Sequence, residues 1–188
     1  MALDRQAGIH YGAALQFLRA RGFDAADREL AEALRILPDK YPKARRLLRL
    51  LQAEVDIARE SWPAVIERLG AAALDGSPPR PELLAGAYAR LRIADGRAVP
   101  VVVDALQTHV ANDPGDSAAW ALLAQSYRLL SRPLAAWRCD AEARLALLDL
   151  QGAREHLRAA QDLIRSGSAG RSGAEAIEAA IIATRSRE

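Results

Sequence analysis

The residues most able to do chemistry in this sequence are three histidines, and their spacing limits that chemistry. His10, His109 and His156 are far apart, and none lies within four residues of another. A catalytic zinc ion held on one helix needs two histidines four residues apart with a glutamate beside the first, because both imidazoles must reach one metal. No acidic cluster with ligand spacing is evident around them either. We therefore expect no metal site and interpret the histidines as residues of helix surfaces or a groove.

The single cysteine and its acidic neighbours are the next candidates for reactive groups. One cysteine, Cys139, excludes an internal disulfide framework and a cysteine-based zinc site. We interpret it as a small buried apolar residue, with a reactive thiol as the alternative. Asp140, Glu142, Asp149 and Glu155 could be paired as acid and base, but solvated helix faces account for them more simply. We expect no catalytic residue in this chain.

A glycine-rich segment near the C-terminus could be mistaken for a phosphate-binding loop. Residues 167–173 contain three glycines but lack a Gly-Lys-Ser/Thr ending and a preceding strand, so we interpret them as a flexible linker. Ser172 and Glu175 form a capping box that would begin a last helix over residues 174–188. Its predicted apolar face, which would cap the end of the preceding helices, holds Ile177, Ala180, Ile181 and Thr184. We expect no cofactor.

The composition of the chain is that of an all-α protein. Its 188 residues are 51% hydrophobic but only 5% aromatic, and alanine, leucine and arginine dominate. These residues are strong helix formers. The formal net charge of +2 is too small to indicate nucleic-acid binding. No apolar run approaches the ~18 residues of a membrane-spanning helix.

The order of apolar residues and turn residues predicts a series of helices without strands. Pro63, Pro100 and Pro133 each fall in a first helical turn, where the missing backbone donor costs nothing. The helices are predicted near residues 4–21, 24–36, 43–59, 62–74, 81–93, 97–111, 117–130, 132–148, 150–165 and 173–186.

The helices show an internal repeat. Small residues on the second helix of each successive pair fall at Ala26, Val65, Val101 and Ala136, which are 39, 36 and 35 residues apart. The pattern is clearest at the two ends of the array. The matching residues are Phe23, Ala26, Leu30, Ala33 and Pro38 in the first unit, and Trp120, Leu123, Ala124, Tyr127 and Ala136 in the fourth.

This pattern resembles the tetratricopeptide family, whose unit has 34 residues. The resemblance implies a right-handed α-solenoid of antiparallel helix pairs, about ten helices with a C-terminal capping helix. The array would cover residues 1–166, in units of about 7–40, 41–80, 81–115 and 116–166. Asp56 and Arg92 depart from the pattern, because each occupies a slot where an aromatic residue is usual.

The C-terminal part of the array has a closer resemblance. Within the stretch 135–160, Ala136 and Ala153 are only 17 residues apart, half a repeat, so the helix near 132–148 closes one pair and opens the next. This ending is similar to the tetratricopeptide region of BepA-type zinc metallopeptidases, the periplasmic β-barrel assembly-enhancing proteases. The histidine pair of their catalytic domain is missing. The resemblance therefore implies a non-catalytic part of a metallopeptidase.

A tetratricopeptide array binds its partner in a concave groove lined by the first helix of each pair. Projected onto this sequence, the groove would be lined by Tyr11, Leu15, Arg19, Leu50, Glu54, Ile57, Gly86, Arg90, Ile93, Ala121, Gln125 and Arg128. Such a mixture of aliphatic residues and arginines suits an extended or helical peptide.

The resemblance implies that the partner is the outer-membrane assembly machinery or an unfolded substrate protein in the periplasm. The alternative is a free-standing cytoplasmic adaptor or regulator, which the lack of a signal peptide at Met1–Arg5 favours. The basic cluster Lys43, Arg45, Arg46 and Arg49 is interpreted either as a solvated helix face or as a site for an acidic partner. Homo-oligomerisation stays open.

Overall fold

A computed structural model of the chain describes residues 3–76, 78–93, 96–166 and 178–182, and every regular element within those ranges is a helix. The prediction of an all-α protein with consecutive helices packed against each other is confirmed. The elements are α1 (Leu3–Arg19), α2 (Phe23–Ile36), α3 (Pro42–Ala58), α4 (Trp62–Leu69), a 3-10 turn (Ala71–Ala73), α5 (Arg80–Ile93), α6 (Ala98–Asn112), α7 (Ser117–Leu129), α8 (Pro133–Ala146), α9 (Leu150–Arg165) and α10 (residues 178–182).

Local sequence explains where most helices begin. Pro42, Pro63 and Pro133 lie at the first or second position of α3, α4 and α8. Asp116 caps α7 by accepting a hydrogen bond from the backbone N–H of Ala119, and Asp149 caps α9 in the same way from Gly152.

Several sequence predictions about helices are wrong. The fourth helix was expected over residues 62–74 but ends at Leu69, because Gly70 adopts a left-handed φ of 68° and only a 3-10 turn follows. In α6 the small residue Val101, from which the repeat interval was counted, is 52% exposed, whereas Val102 is fully buried. The linker and the capping box at Ser172 lie outside the described residues. Of the predicted last helix only residues 178–182 are described, and their buried face holds Glu178 and Ile182 rather than Ala180 and Ile181.

The chain divides into two compact units, the first of which holds α1 to α4, the 3-10 turn and residues 80–89 of α5. Here α1 packs against α2, and both contact α3. The centre of this core is formed by Ala14, Leu30 and Val55, which are fully buried. A second cluster joins α3, α4 and α5. The Trp62 and Tyr88 rings meet edge to face there, with centroids 5.4 Å apart.

The second unit holds the rest of α5 and helices α6 to α10. In sequence order, α6 packs against α7, α7 against α8, and α8 against α9. Helix α8 therefore belongs to two successive pairs, as its half-repeat spacing predicts. The face through Trp120, Leu123, Ala124 and Tyr127 of α7 is buried or half-buried, as its spacing of three, four and seven residues predicts. Helix α10 packs on α8 and α9 through Ile182.

In the part of the chain that the structure describes, the same tight turn occurs four times between consecutive helices. Its central residue adopts a left-handed φ of 56° to 59° at Arg21, Glu60, Ser131 and Leu148. Each of these residues donates its N–H to the carbonyl three residues earlier, and the next residue donates to the carbonyl five residues earlier. This is the Schellman ending of a helix. The four turns lie 39, 71 and 17 residues apart, so the interval predicted from small residues also appears in the backbone.

Candidate functional site

The three histidines have local partners in the structure. The Nδ1 atom of His10 lies 2.6 Å from Oε2 of Glu29 and joins α1 to α2. The His156 ring lies against Trp137, with centroids 5.5 Å apart. Both residues are half-buried and link neighbouring helices. They therefore contribute to packing between elements.

His109 has acidic neighbours that the sequence analysis missed. His109, Asp113 and Asp116 each place one potential ligand atom within 4.8 Å of the others. Asp116 is buried and has two structural partners, since one oxygen caps α7 and the other lies 2.9 Å from Nε2 of His109. These bonds hold the α6–α7 turn. Asp113 and Asp116 follow His109 by four and seven residues in the sequence, and this spacing was the signal that could have indicated the cluster.

The Cys139 side chain is fully buried within the second unit. Burial raises the pKa of its thiol to about 12, despite the nearby guanidinium of Arg138. A thiol with such a pKa carries almost no thiolate at neutral pH. The interpretation as a buried apolar residue is therefore favoured over a reactive nucleophile.

The acidic residues around Cys139 form ion pairs and caps. Asp140 on α8 pairs with Arg128 on α7. Asp149 caps α9 and lies 3.3 Å from a guanidinium nitrogen of Arg144. Glu155 accepts a hydrogen bond from Gln151 one turn earlier. Each of these contacts holds a helix or a turn in place.

Two residues of the basic cluster of α3 make structural contacts, and the other two are exposed to solvent. Arg45 donates to the carbonyls of Leu34 and Leu37, at 3.0 and 2.7 Å, and so satisfies the end of α2. Arg46 forms a two-bond ion pair with Glu82 of α5. Lys43 and Arg49 are exposed. The four residues therefore do not act as one anion-binding patch.

The predicted groove residues of the first unit lie on α1 and α3. Tyr11 and Leu15 are half-buried and pack against the core, whereas Arg19 at the end of α1 is exposed. On α3, Leu50 and Ile57 are half-buried, and Ile57 packs against the cluster around Val65. Glu54 is exposed, but the protein around it displaces enough water to raise the pKa of its carboxyl group.

One pocket in the first unit includes a predicted groove residue. This α1–α3 pocket, about 190 Å³ in volume, is lined by Ala7, Gly8, Tyr11, Leu37, Tyr41, Ala44, Leu47 and Leu48. Its wall is almost entirely apolar, and Leu47 at its edge is 54% exposed. A Cβ atom on Gly8 would meet no other atom within 4 Å, so the wall is open on this side. The pocket has the character of a site for an aliphatic or aromatic side chain.

The predicted groove residues of the second unit differ in their surroundings. Arg90 is half-buried, and this burial lowers the pKa of its guanidinium. Ile93 is exposed and Gln125 is half-buried. Arg128 is exposed but is paired with Asp140, so it stabilises the α7–α8 pair. Two predicted groove residues remain. Gly86 of the first unit is buried, and Ala121 of α7 is exposed.

A second pocket, between α8 and α9, was not predicted. This α8–α9 pocket, about 300 Å³ in volume, is lined by Ala141, Glu142, Leu145, Leu150, Ala153, Arg154 and Leu157. It opens beside the Schellman turn that joins the two helices. The sequence did not indicate this pocket, because the helix predicted over 132–148 included Leu147 and Leu148, which belong to the turn.

None of the helices within the described residues is long and apolar enough to cross a membrane. No protein-family model matches this sequence, and no curated protein sequence matches it significantly.

Proposed function

We propose that this chain is a helical-repeat module that binds a peptide or an unfolded protein segment and performs no catalysis. The observation that carries this proposal is the Schellman turn that recurs at Arg21, Glu60, Ser131 and Leu148. A chain that repeats one helix-turn-helix unit resembles repeat proteins, which bury their apolar faces against neighbouring units and commonly serve as binding scaffolds. The finer assignment, a right-handed tetratricopeptide solenoid, is part of the proposal.

The surroundings of the candidate reactive groups support a role in binding. Cys139 is buried with a raised thiol pKa, and Asp140 and Asp149 are engaged in ion pairs and a cap. Their contacts stabilise helix pairs. The binding role then falls to surfaces with apolar side chains that protrude or line open space.

The α1–α3 pocket is the binding subsite that we propose for an apolar side chain of the ligand. Tyr11 belongs to its wall, and Arg19 lies two turns further along the same helix with its side chain exposed. An aliphatic or aromatic ligand residue would enter the pocket, while an acidic one would pair with Arg19.

The finer proposal for cellular role rests on the resemblance to BepA-type peptidases. The chain would act in the periplasm and hold unfolded outer-membrane proteins or the machinery that assembles them. The strands of such substrates alternate apolar and polar residues and carry aromatic residues near their ends, and the apolar ones suit an apolar pocket. A free-standing cytoplasmic adaptor with the same pocket is the competing proposal.

The test is peptide binding with a blocked pocket. Fluorescently labelled peptides from outer-membrane β-barrel strands, and matched peptides from cytoplasmic proteins, are titrated with the chain and followed by anisotropy. Gly8→Leu should fill the pocket mouth and weaken peptide binding at least tenfold. Gly12→Leu is the matched control, since Gly12 also has open space around it but does not line the pocket. Both substitutions favour the helix, so a lost signal would not reflect unfolding.

Four outcomes discriminate between the proposals. Selective binding of β-strand peptides that only Gly8→Leu abolishes supports the periplasmic role. Selective binding of cytoplasmic peptides supports the adaptor. Binding that is equal for Gly8→Leu and the parent contradicts the proposed subsite, and no binding by any peptide contradicts the proposed function.

A further inference from the structure

The turn between α8 and α9 carries the two most exposed large apolar side chains in the described part of the chain, and a third exposed leucine follows them. Leu147, Leu148 and Leu150 are 62%, 87% and 58% exposed, and we call them the leucine patch. Isolated exposed leucines are common on protein surfaces, but three within four residues concentrate exposed apolar area at one turn.

Leu148 is unfavourable for the isolated chain in two ways. Its φ of 59° is a left-handed conformation that a residue with a Cβ adopts only at an energetic cost. Its side chain is also almost fully in water. The same turn position elsewhere holds polar residues, namely Arg21, Glu60 and Ser131. Among the four described turns of this kind, Leu148 is the one large apolar residue at this position, and the described fold gains no burial from its side chain.

The α8–α9 pocket lies directly beside this patch. Leu150 belongs to both, since it lines the pocket and is also exposed. The rest of the apolar wall comes from one face of each helix, with Ala141 and Leu145 on α8 and Ala153 and Leu157 on α9. The exposed leucine patch and the apolar α8–α9 pocket therefore lie side by side on one surface.

The charges around the pocket and turn are balanced in sign. Glu142 and Arg154 line the pocket on opposite helices, and Arg144 and Asp149 form an ion pair in the turn. A surface with one sign of charge would repel an identical surface, whereas a surface with two of each sign can pair with itself. A two-fold axis would bring the leucine patch of each copy to the α8–α9 pocket of the other, which is the arrangement of an isologous dimer.

We propose that a second copy of this chain docks on the leucine patch and the α8–α9 pocket. Leu147 and Leu148 of each copy contact the pocket of the other, and the acidic residues face basic residues across the two-fold axis. The interface is centred on one turn and one pocket, so it is small and the dimer is weak, with a dissociation constant in the micromolar range. This proposal does not depend on the peptide-binding proposal, because the α1–α3 pocket lies in the other unit.

Analytical ultracentrifugation over a range of protein concentrations tests the proposal. The parent should change from monomer to dimer as the concentration rises. Leu148→Gly should weaken the dimer at least tenfold while its Tm stays equal or rises, because glycine suits the left-handed turn. Ser131→Gly makes the same backbone change at the equivalent turn of α7–α8 and should leave the dimer unchanged.

Leu150→Glu provides a second variant that keeps the fold. Leu150 is the first residue of α9, where a carboxylate interacts favourably with the helix dipole, so the monomer should remain folded. The charge on the patch should abolish dimerisation. A parent that stays monomeric at the highest concentration would overturn the proposal. A dimer that tolerates Leu148→Gly and Leu150→Glu would overturn it too, because that dimer must use another surface.

Discussion

The side chains of Arg138 and Glu178 form an ion pair between α8 and α10, with 2.7 Å between Nε and Oε2. The two side chains are only 16% and 8% exposed. Burial alone would lower the pKa of Arg138, but the bond to Glu178 raises it. The guanidinium also lies 6.0 Å from the centre of the Trp120 ring. This pair connects the last described helix to the rest of its unit.

Glu178→Gln should destabilise the protein by about 2–4 kcal/mol, because it leaves the buried guanidinium of Arg138 without its counter-charge. Urea denaturation followed by circular dichroism measures the loss. Asp162→Asn is the matched control, since it removes the carboxylate of an exposed Arg165 pair and should leave the midpoint unchanged. Equal midpoints for the two variants would show that the Arg138 pair contributes no more than a surface contact.

A second ion pair should respond differently according to which partner is removed. Asp56 on α3 is 5% exposed and accepts a 2.8 Å hydrogen bond from Arg68 on α4, which is 29% exposed. Arg68→Met should cost about 3 kcal/mol, because it leaves a buried carboxylate without a partner. Asp56→Asn should cost about 1–2 kcal/mol, because the amide still accepts a hydrogen bond and Arg68 can turn to water. Urea unfolding of both variants tests this order, and equal losses would contradict it.

The two pairs show what the sequence could predict and what it could not. Periodicity predicts the α3 helix and marks Asp56 as an unusual residue on its apolar face. The partner Arg68 lies twelve residues further on, on another helix, so the ion pair depends on how α3 and α4 pack. Sequence periodicity carries no information about that contact.

Errors in the sequence analysis arose where local signals were uniform. Residues 99–103 of α6 include four valines, so no polar residue fixes which face is buried, and the prediction chose Val101 instead of Val102. The alanines after Gly70 favour a helix, but the left-handed glycine ends it. A wrongly predicted helix end also explains why the leucine patch was not predicted. Helix α8 was expected to reach residue 148, yet it ends at Ala146 and leaves two leucines in the turn.

The recurring turn gives a prediction about the backbone at Glu60. This residue is exposed and adopts a φ of 59° in the α3–α4 turn. Glu60→Gly should stabilise the protein by about 0.5–1 kcal/mol, since glycine adopts left-handed conformations without the steric cost of a Cβ atom. Glu60→Ala is the control and should change stability little, because alanine keeps the Cβ atom. Stabilisation by both variants would show that the glutamate side chain, rather than the backbone conformation, is unfavourable.

The buried thiol of Cys139 predicts how stability depends on alkaline pH. Its pKa is about 12 in the folded protein and near the ordinary value of 9.0 in the unfolded chain. Between these values the unfolded chain loses a proton that the folded protein keeps, so the free energy of unfolding falls as pH rises. The slope contributed by this group approaches about 1.4 kcal/mol per pH unit.

Cys139→Ala isolates this contribution. The variant should be less stable than the parent at pH 7 by about 1 kcal/mol, because it removes a buried sulfur atom. Above pH 9 its stability should fall less steeply than that of the parent, so its deficit of about 1 kcal/mol should shrink and reverse in sign by about pH 10.5. Burial and, after it, the charge of the Cys139 thiolate raise the pKa of Tyr127, so the contribution of this tyrosine cancels only in part, and its ionisation is followed separately by phenolate absorbance. Urea unfolding at pH 7, 9 and 10.5 measures both slopes. Parallel curves would contradict the prediction, because they would mean that the Cys139 thiol ionises equally readily in the folded and unfolded chains.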